Sequence, residues 1–380
     1  MIQSKLPRVG TTIFTRMSTL AAAHGAINLS QGFPDFDAPE ALREAMARHV
    51  MDGHNQYAPM PGVMRLREQL AAQLQRYRGV SCDPDTEITV VPGATEGIFC
   101  AVMACVRPGD EVILLDPCYD SYQPSVELAG GRAVHVPLQG PGFALDRERL
   151  QAAVSGRTRL LMINSPHNPS GGVLSREDML YLEALVERHN LLVISDEVYE
   201  HLVFDGRAHH SALQFPALRQ RSFALFSFGK TFSVTGWKTG YCIAPPALTT
   251  ELRKVHQFVS FVAVTPVQLA VADFLAEHPD YPATLAAFYQ RKRDLFCAAL
   301  GQSRFSFTPS AGTYFQLLDY SEISREVDTA LCEQWTSELG VAAIPVSVFY
   351  EQPPPRQLLR FCFAKNDAVL ESAAEVLCRI

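Results

Sequence analysis

Between about residue 80 and residue 245 the chain alternates short apolar runs with segments of helical periodicity, and this rhythm limits the fold more than any other feature. The runs are Glu87–Val91, Glu111–Leu115, Arg159–Ile163, Leu191–Ser195, Ser222–Phe226 and Gly240–Ala244. Several are apolar throughout rather than at every second position, as strands are when a mostly parallel sheet buries both their faces. Segments such as Glu96–Val106 and Ser175–Arg188 repeat at helical spacing. The pattern predicts an α/β fold whose large domain is three layers around a mostly parallel, mixed sheet.

Beyond Pro266 the rhythm changes. A long helical stretch is interrupted near His278-Pro279 and resumes from Pro282 to about Leu300. Strands are expected around Thr313–Leu318, Ala342–Pro345 and Leu358–Phe363, with a last helix over Asp367–Cys378, which is a smaller α+β unit. The expected division is an N-terminal segment 1–42 packing with the small domain, a large domain 43–285 and a small domain 286–380. The small domain is thus built from both termini.

Composition narrows the classes of partner. Hydrophobic residues make up 47% and charged residues 19%, which allows a substantial core, and the net charge of −7 comes from interspersed signs. Without a basic stripe or polybasic segment, neither nucleic acid nor a membrane surface is an expected partner. The nine cysteines are scattered with no C-x-x-C pair, so free thiols are expected and no metal site is read. The first thirty residues lack the pattern of a signal peptide, and the expected location is cytoplasmic.

In open parallel sheets, ligands bind beyond the carboxyl ends of the strands, so the residues following each run matter most. After Val91, Pro92-Gly93-Ala94-Thr95 opens a helix whose free N–H groups suit a phosphate. Tyr119 follows Leu115 and offers a face for a flat ring. After Ile163, the turn Asn164-Ser-Pro-His-Asn168-Pro169 holds two amides in fixed places. Asp196 ends a buried apolar run, where a carboxylate needs a partner. After Phe226 come Ser227, Lys230 and Lys238, one lysine suited to act as a nucleophile and the other to hold an anion. A reactive amine, a buried acid, a ring-stacking aromatic and a phosphate cradle are together what pyridoxal phosphate requires.

These residues resemble the fold-type-I, class I/II aminotransferases, and among them the bacterial methionine-type aminotransferases and the kynurenine or glutamine transaminases. The resemblance runs from Asn28-Leu-Ser-Gln-Gly-Phe-Pro-Asp35 through Asn55-Gln-Tyr57, Ser165-Pro-His-Asn-Pro169 and Ser195-Asp-Glu-Val-Tyr199. It continues in Ser227-Phe-Gly-Lys-Thr-Phe-Ser-Val-Thr-Gly-Trp-Lys238 and ends in Leu359-Arg-Phe-Cys-Phe-Ala-Lys365. By that resemblance Lys230 forms a Schiff base with pyridoxal 5'-phosphate and then shuttles the substrate's α-proton. Asp196 would pair with the pyridinium nitrogen, Tyr199 and Asn168 would hydrogen-bond the phenolic oxygen, and Tyr119 would stack on the ring. Gly93, Ala94, Thr95, Ser227 and Lys238 would hold the phosphate. Tyr57 would reach it from a neighbouring subunit, which implies a homodimer with shared active sites. Arg360 would grip the substrate α-carboxylate, helped by Asn168 and the backbone of Gly32, with Asn164 in the same pocket.

The resemblance implies a ping-pong transfer of an amino group from an amino acid to a 2-oxo acid. Phe14, Tyr57, Phe258 and Phe261 are expected near the substrate side chain, which favours methionine or aromatic donors over aspartate. The alternative on the same fold is a β-lyase acting on cysteine S-conjugates or cystathionine.

Overall fold

The computed structural model describes residues 2–380. Its strands are β1 (Ile27–Asn28), β2 (Ile88–Val91), β3 (Glu111–Asp116), β4 (Arg132–Pro137), β5 (Thr158–Asn164), β6 (Leu192–Asp196), β7 (Ser222–Ser227), β8 (Gly240–Ile243), β9 (Phe315–Asp319), β10 (Val341–Ala342), β11 (Ile344–Pro345) and β12 (Leu358–Cys362). Seven of them form one sheet in the order β2-β8-β7-β6-β5-β3-β4. It is mixed and mostly parallel, as expected, with β8 the one strand running against its neighbours β7 and β2. Two successive reversals bring β2 back into the direction of β7. The residues after β2 therefore reach the same edge of the sheet as those after β5, β6 and β7.

All six apolar runs are strands, within a residue or two at each end. β4 is a strand that the apolar-run criterion passes over. It lies at the sheet edge, pairs only with β3, and its side chains are exposed or half-buried except Val136, so Arg132-Ala-Val-His-Val-Pro137 needs no continuous apolar run. Helices cover both faces. On one side Ile98 and Val102 of the helix Ala94–Cys105 pack on Leu114, Met162 and Leu225. On the other, Met179, Leu182 and Val186 of the helix Arg176–His189 pack on Ile113, Leu161 and Val193. Ser175 caps that second helix in a reciprocal pair with Asp178, and Asn190 ends it in the left-handed conformation.

A second core joins residues from both ends of the chain. Met17 and Leu29 pack with Phe296, Leu318, Ile344, Phe361 and Leu370, and with Tyr199 and Leu202 from beyond β6. The region expected as one strand over Ala342–Pro345 is two. β10 pairs parallel with β1, while β11 pairs antiparallel with β12, so the chain changes sheets across Ala343. β12 also pairs antiparallel with β9, which places Arg360 in the central strand of a three-stranded sheet. All nine cysteines are free. No helix among the described residues is long and apolar enough to cross a membrane.

Candidate active site

The strand ends of the large sheet and the edge of the second core enclose a cavity of about 300 Å³. Its first corner is the start of the helix Ala94–Cys105. Gly93 adopts φ 84 and ψ 160, a backbone conformation that side chains disfavour, and a Cβ there would lie 3.5 Å from the Lys238 ammonium. Gly240 at the start of β8 is held even closer: a Cβ would stand 2.3 Å from the Phe226 carbonyl and 3.3 Å from the Ala94 nitrogen. These two glycines let the helix start, the loop that carries Lys238 and Ser227 converge. The result is a ring of donors around one point: the N–H groups of the first helical turn, a hydroxyl and an ammonium.

The second corner is the ends of β5 and β6. Asp196 is buried, with Oδ2 accepting a hydrogen bond from Tyr122 at 2.6 Å and Oδ1 from the Val198 N–H at 3.3 Å. Burial pushes this carboxyl up to about 6, against the Tyr122 bond and the Val198 bond, which act to lower it. Asn164 braces the corner with its whole amide. Its oxygen accepts from the Asn168 N–H and its nitrogen donates to the Asp196 carbonyl, each at 2.8 Å. Tyr199 is almost fully buried, and burial raises its phenol well above the ordinary range.

Lys230 follows β7 in a short helical turn and enters the cavity from below. Its ammonium donates to the Tyr314 hydroxyl at 2.9 Å and to the Gly32 carbonyl at 3.1 Å. Burial lowers its pKa to about 8, with the nearby charges of Lys238 and Arg360 acting in the same direction. An amine so placed is a far better nucleophile and base near neutral pH than an exposed lysine.

Opposite stands Arg360, 1% exposed. Nη1 donates to Asn168 Oδ1 at 2.7 Å and Nη2 to the Ser30 carbonyl at 3.1 Å. Phe315 lies under the guanidinium at 4.0 Å, with Phe14 at 5.2 Å and Phe349 at 5.4 Å. Both hydrogen-bond acceptors are uncharged, and Nε has no partner. Burying a cation without an anion in contact is costly, and here its direct partners are rings and neutral oxygens, with the Asp120 carboxylate acting on it only from a distance. Since a guanidinium only donates, the Asn168 oxygen must face it, which leaves the Asn168 NH₂ as the end available to donate elsewhere.

Fourteen residues singled out in the sequence line this cavity: Phe14, Gly32, Gly93, Ala94, Thr95, Tyr119, Asn164, Asn168, Asp196, Tyr199, Ser227, Lys230, Lys238 and Arg360. Tyr57 and Phe261 do not line it within one chain. Tyr57 is 82% exposed and meets the edge of Phe261, which follows the helix Pro246–Val259 with a left-handed φ of 68 and stands half out of the protein. Phe258, expected in the same pocket, is 85% exposed. The helix end carries both phenylalanines away from their own cavity. Several residues escape the sequence reading, four of them at the chemistry of the site. Gln31 and Phe315 line the cavity, while Tyr122 and Tyr314 stand just behind it, bonded to Asp196 and Lys230. Tyr122 lies in the segment that drew attention to Tyr119, but only helical geometry shows which ring faces Asp196. Tyr314 has no local signal at all.

The donor set fits pyridoxal phosphate: an anion cradle at one end, a buried acid that can face a ring nitrogen, and a buried amine between them. Comparison with known proteins leads the same way. Residues 24–377 match the family "Aminotransferase class I and II". The methionine aminotransferase of Escherichia coli K12 is 51% identical over 99% of this chain and 97% of its own length. The kynurenine–oxoglutarate transaminase of Dictyostelium discoideum is 36% identical over 98% and 94%. The solved structure of N-succinyldiaminopimelate aminotransferase from Mycobacterium tuberculosis superposes with a TM-score of 0.96 at 42% identity, covering 100% of each chain.

Proposed function

The chain belongs to the class I and II aminotransferases, and we propose that it moves the α-amino group of methionine or an aromatic amino acid to a 2-oxo acid, with pyridoxal 5'-phosphate as resident cofactor. The observation that carries this reading is the pairing, across one cavity, of the buried Lys230 amine with a buried Arg360 that has no anionic partner of its own. An α-amino acid brings a carboxylate for Arg360 and places its Cα within the reach of Lys230.

Bound in this cavity, pyridoxal phosphate supplies an electron-poor ring that takes up the electron pair left when the α-proton departs. The residues divide the remaining work. The helix start at Gly93–Thr95, Ser227 and Lys238 hold the phosphate, and lysine serves there as a point charge rather than a bidentate clamp. Asp196 would keep a proton on the ring nitrogen, and the Tyr122 bond orients Asp196 and favours its ionised form. Tyr199 and the Asn168 NH₂ would donate to the cofactor's phenolic oxygen, and Tyr119 would offer its ring as a stacking face. Lys230, the buried amine of lowered pKa, would take and hold the proton released from the substrate Cα. Arg360 fixes the substrate so that its Cα–H faces that amine.

The cavity's charges also speak to the donor. Its cations are Lys230, Lys238 and Arg360, and the reading gives each a task. No further cation remains in the lining for a side-chain carboxylate, whereas Phe14, Ile98 and Phe315 offer apolar surface and sulfur–aromatic contact. In a donor panel with a fixed 2-oxo acid, methionine should exceed aspartate in kcat/KM by at least about tenfold. An equal or better aspartate reaction refutes the donor assignment.

The same reading takes residues 1–42 and 286–380 as the unit that carries Gly32 and Arg360 against the cofactor-binding 43–285. It also takes two copies as the working assembly. The exposed Tyr57, Phe258, Val259, Phe261 and Val264 form an apolar surface whose burial against a second copy brings each Tyr57 to the other's phosphate corner. A monomeric sedimentation profile at full activity contradicts that assembly.

A further inference from the structure

Tyr314 is fully buried in an aromatic cluster, a setting in which phenylalanine would pack as well and leave no hydroxyl to satisfy. Its hydroxyl nevertheless meets the Lys230 ammonium and the Gly32 carbonyl, with the Tyr199 hydroxyl close beside it. It donates its only hydrogen to the Gly32 carbonyl, so that its oxygen can only accept from Lys230, 2.9 Å away. The Gly32 carbonyl accepts from the same ammonium at 3.1 Å. Two of the three ammonium hydrogens are thereby fixed, and the third is left to face the cavity.

We propose that Tyr314 is a positioning residue for the reactive amine: its hydroxyl and the Gly32 carbonyl form a dock that holds Lys230 whenever the amine is free, and so sets the direction in which it carries its proton. The inference rests on the reading of Lys230 as the reactive amine and adds to it a residue from the other core of the molecule.

The dock is rigid. Thr313 holds a left-handed φ of 65, and its N–H donates to the Leu202 carbonyl at 2.9 Å, just beyond Tyr199. The Tyr314 carbonyl accepts from the Phe363 N–H at 2.9 Å, which ties it to the strand of Arg360. Its ring meets Tyr199 edge-on at 5.1 Å, Phe315 at 4.9 Å and Tyr289 at 5.8 Å. Gly32 is equally confined, since a Cβ there would stand 2.9 Å from the Phe315 ring. Phe315 is the ring beneath Arg360, so the dock for the amine and the clamp for the carboxylate share one wall.

The groups facing Lys230 come from several elements. Asp196 favours its charged form, Lys238 and Arg360 disfavour it, the Cys362 thiol, kept protonated by burial, stands close by, and the Tyr199 and Tyr314 ring centroids lie 5.7 and 5.5 Å from the ammonium. Against that background a hydrogen bond accepted from the ammonium holds the proton on, and removing it makes the amine easier to deprotonate.

The experiment is competitive acetylation of the full-length protein freed of cofactor, followed across pH by mass spectrometry of the Lys230 peptide, with the exposed Lys254 as internal reference. Tyr314→Phe should lower the Lys230 midpoint by roughly one pH unit and leave Lys254 where it is. A midpoint unmoved within about 0.2 unit, the precision such a titration needs to see a one-unit effect, overturns the dock. Fluorinated tyrosine at position 314 keeps ring, shape and hydroxyl while weakening the oxygen as an acceptor. A graded lowering of the same midpoint supports the dock without depending on how the phenylalanine variant folds, and no shift overturns it. In turnover the loss should fall on kcat, roughly tenfold, with KM for the amino donor unmoved; a loss carried by KM alone overturns the dock. The functional reading fails separately, if Lys230→Ala keeps a protein-linked cofactor, and the labelling midpoint tests the dock in either case.

Discussion

The two ends of the cavity hold their charges by opposite means. At one end, which the proposed reading gives to the ring nitrogen, Asp196 is a buried acid supplied with donors, a phenol at 2.6 Å from the segment after β3 and a backbone N–H from the segment after β6. At the other end, which the proposed reading gives to the substrate carboxylate, Arg360 is a buried cation whose direct partners are neutral acceptors and aromatic faces. The fold gives the first charge its donors, although burial still raises its pKa to about 6. On the proposed reading the second is completed by the substrate, and a site that leaves a charge short of its partner will select for the molecule that brings one. On that reading one cavity can keep its cofactor through every cycle yet exchange its substrate.

The comparison breaks most completely at the lysine between the two ends. Lys230→Ala should reduce turnover by roughly 10⁴-fold or more, through loss of both nucleophile and proton carrier. Borohydride treatment followed by peptide mass spectrometry should then find no protein-linked cofactor, and linkage at another lysine contradicts the assignment. A smaller loss isolates the carboxylate end. Arg360→Gln should lower kcat/KM for amino donors by roughly 10²- to 10³-fold while leaving cofactor content at the wild-type level. Joint loss of cofactor and substrate binding would mean that the two ends are not separable.

The smallest effect sharpens the other end. Folding without cofactor favours the protonated form of Asp196, whose pKa rises from 3.8 to about 6. The stabilisation linked to that proton is complete below about pH 3.8 and is lost as pH rises through about 6. Tyr122→Phe removes a bond that favours the ionised form, so the folded pKa rises further and the loss extends to higher pH. Thermal unfolding of the cofactor-free protein across that range measures it, and an unchanged profile removes Tyr122 from this role.

The same two ends differ in how far they can be read from sequence. The cofactor end is local: Gly93–Thr95, Asn164, Asp196, Ser227 and Lys230 each follow an apolar run at once, so finding the strands finds the residues. The carboxylate end is legible only in part. Arg360 and Gly32 come from the resemblance of whole motifs, because nothing in Leu358–Cys362 distinguishes a ligand-facing arginine from one in a salt bridge. Tyr314 and Phe315 read as ordinary core strand, and it takes the pairing of β9 with β12 to set Phe315 beneath Arg360. Phe258 and Phe261 mislead for a related reason. Their apolar character implies burial, but whether their own chain or another surface provides it depends on where one helix ends.

The pairing of β1 with β10 has a bearing on how the protein is made. Ser30, which accepts from Arg360, is 330 residues away from it in sequence, so that contact closes one of the longest loops the chain can form. The strands of the large sheet, by contrast, are all present once Ile243 has left the ribosome. Slow, non-local closure of the termini therefore follows earlier, more local assembly of the sheet. In refolding, the protein should take up pyridoxal phosphate before it can distinguish one amino acid from another.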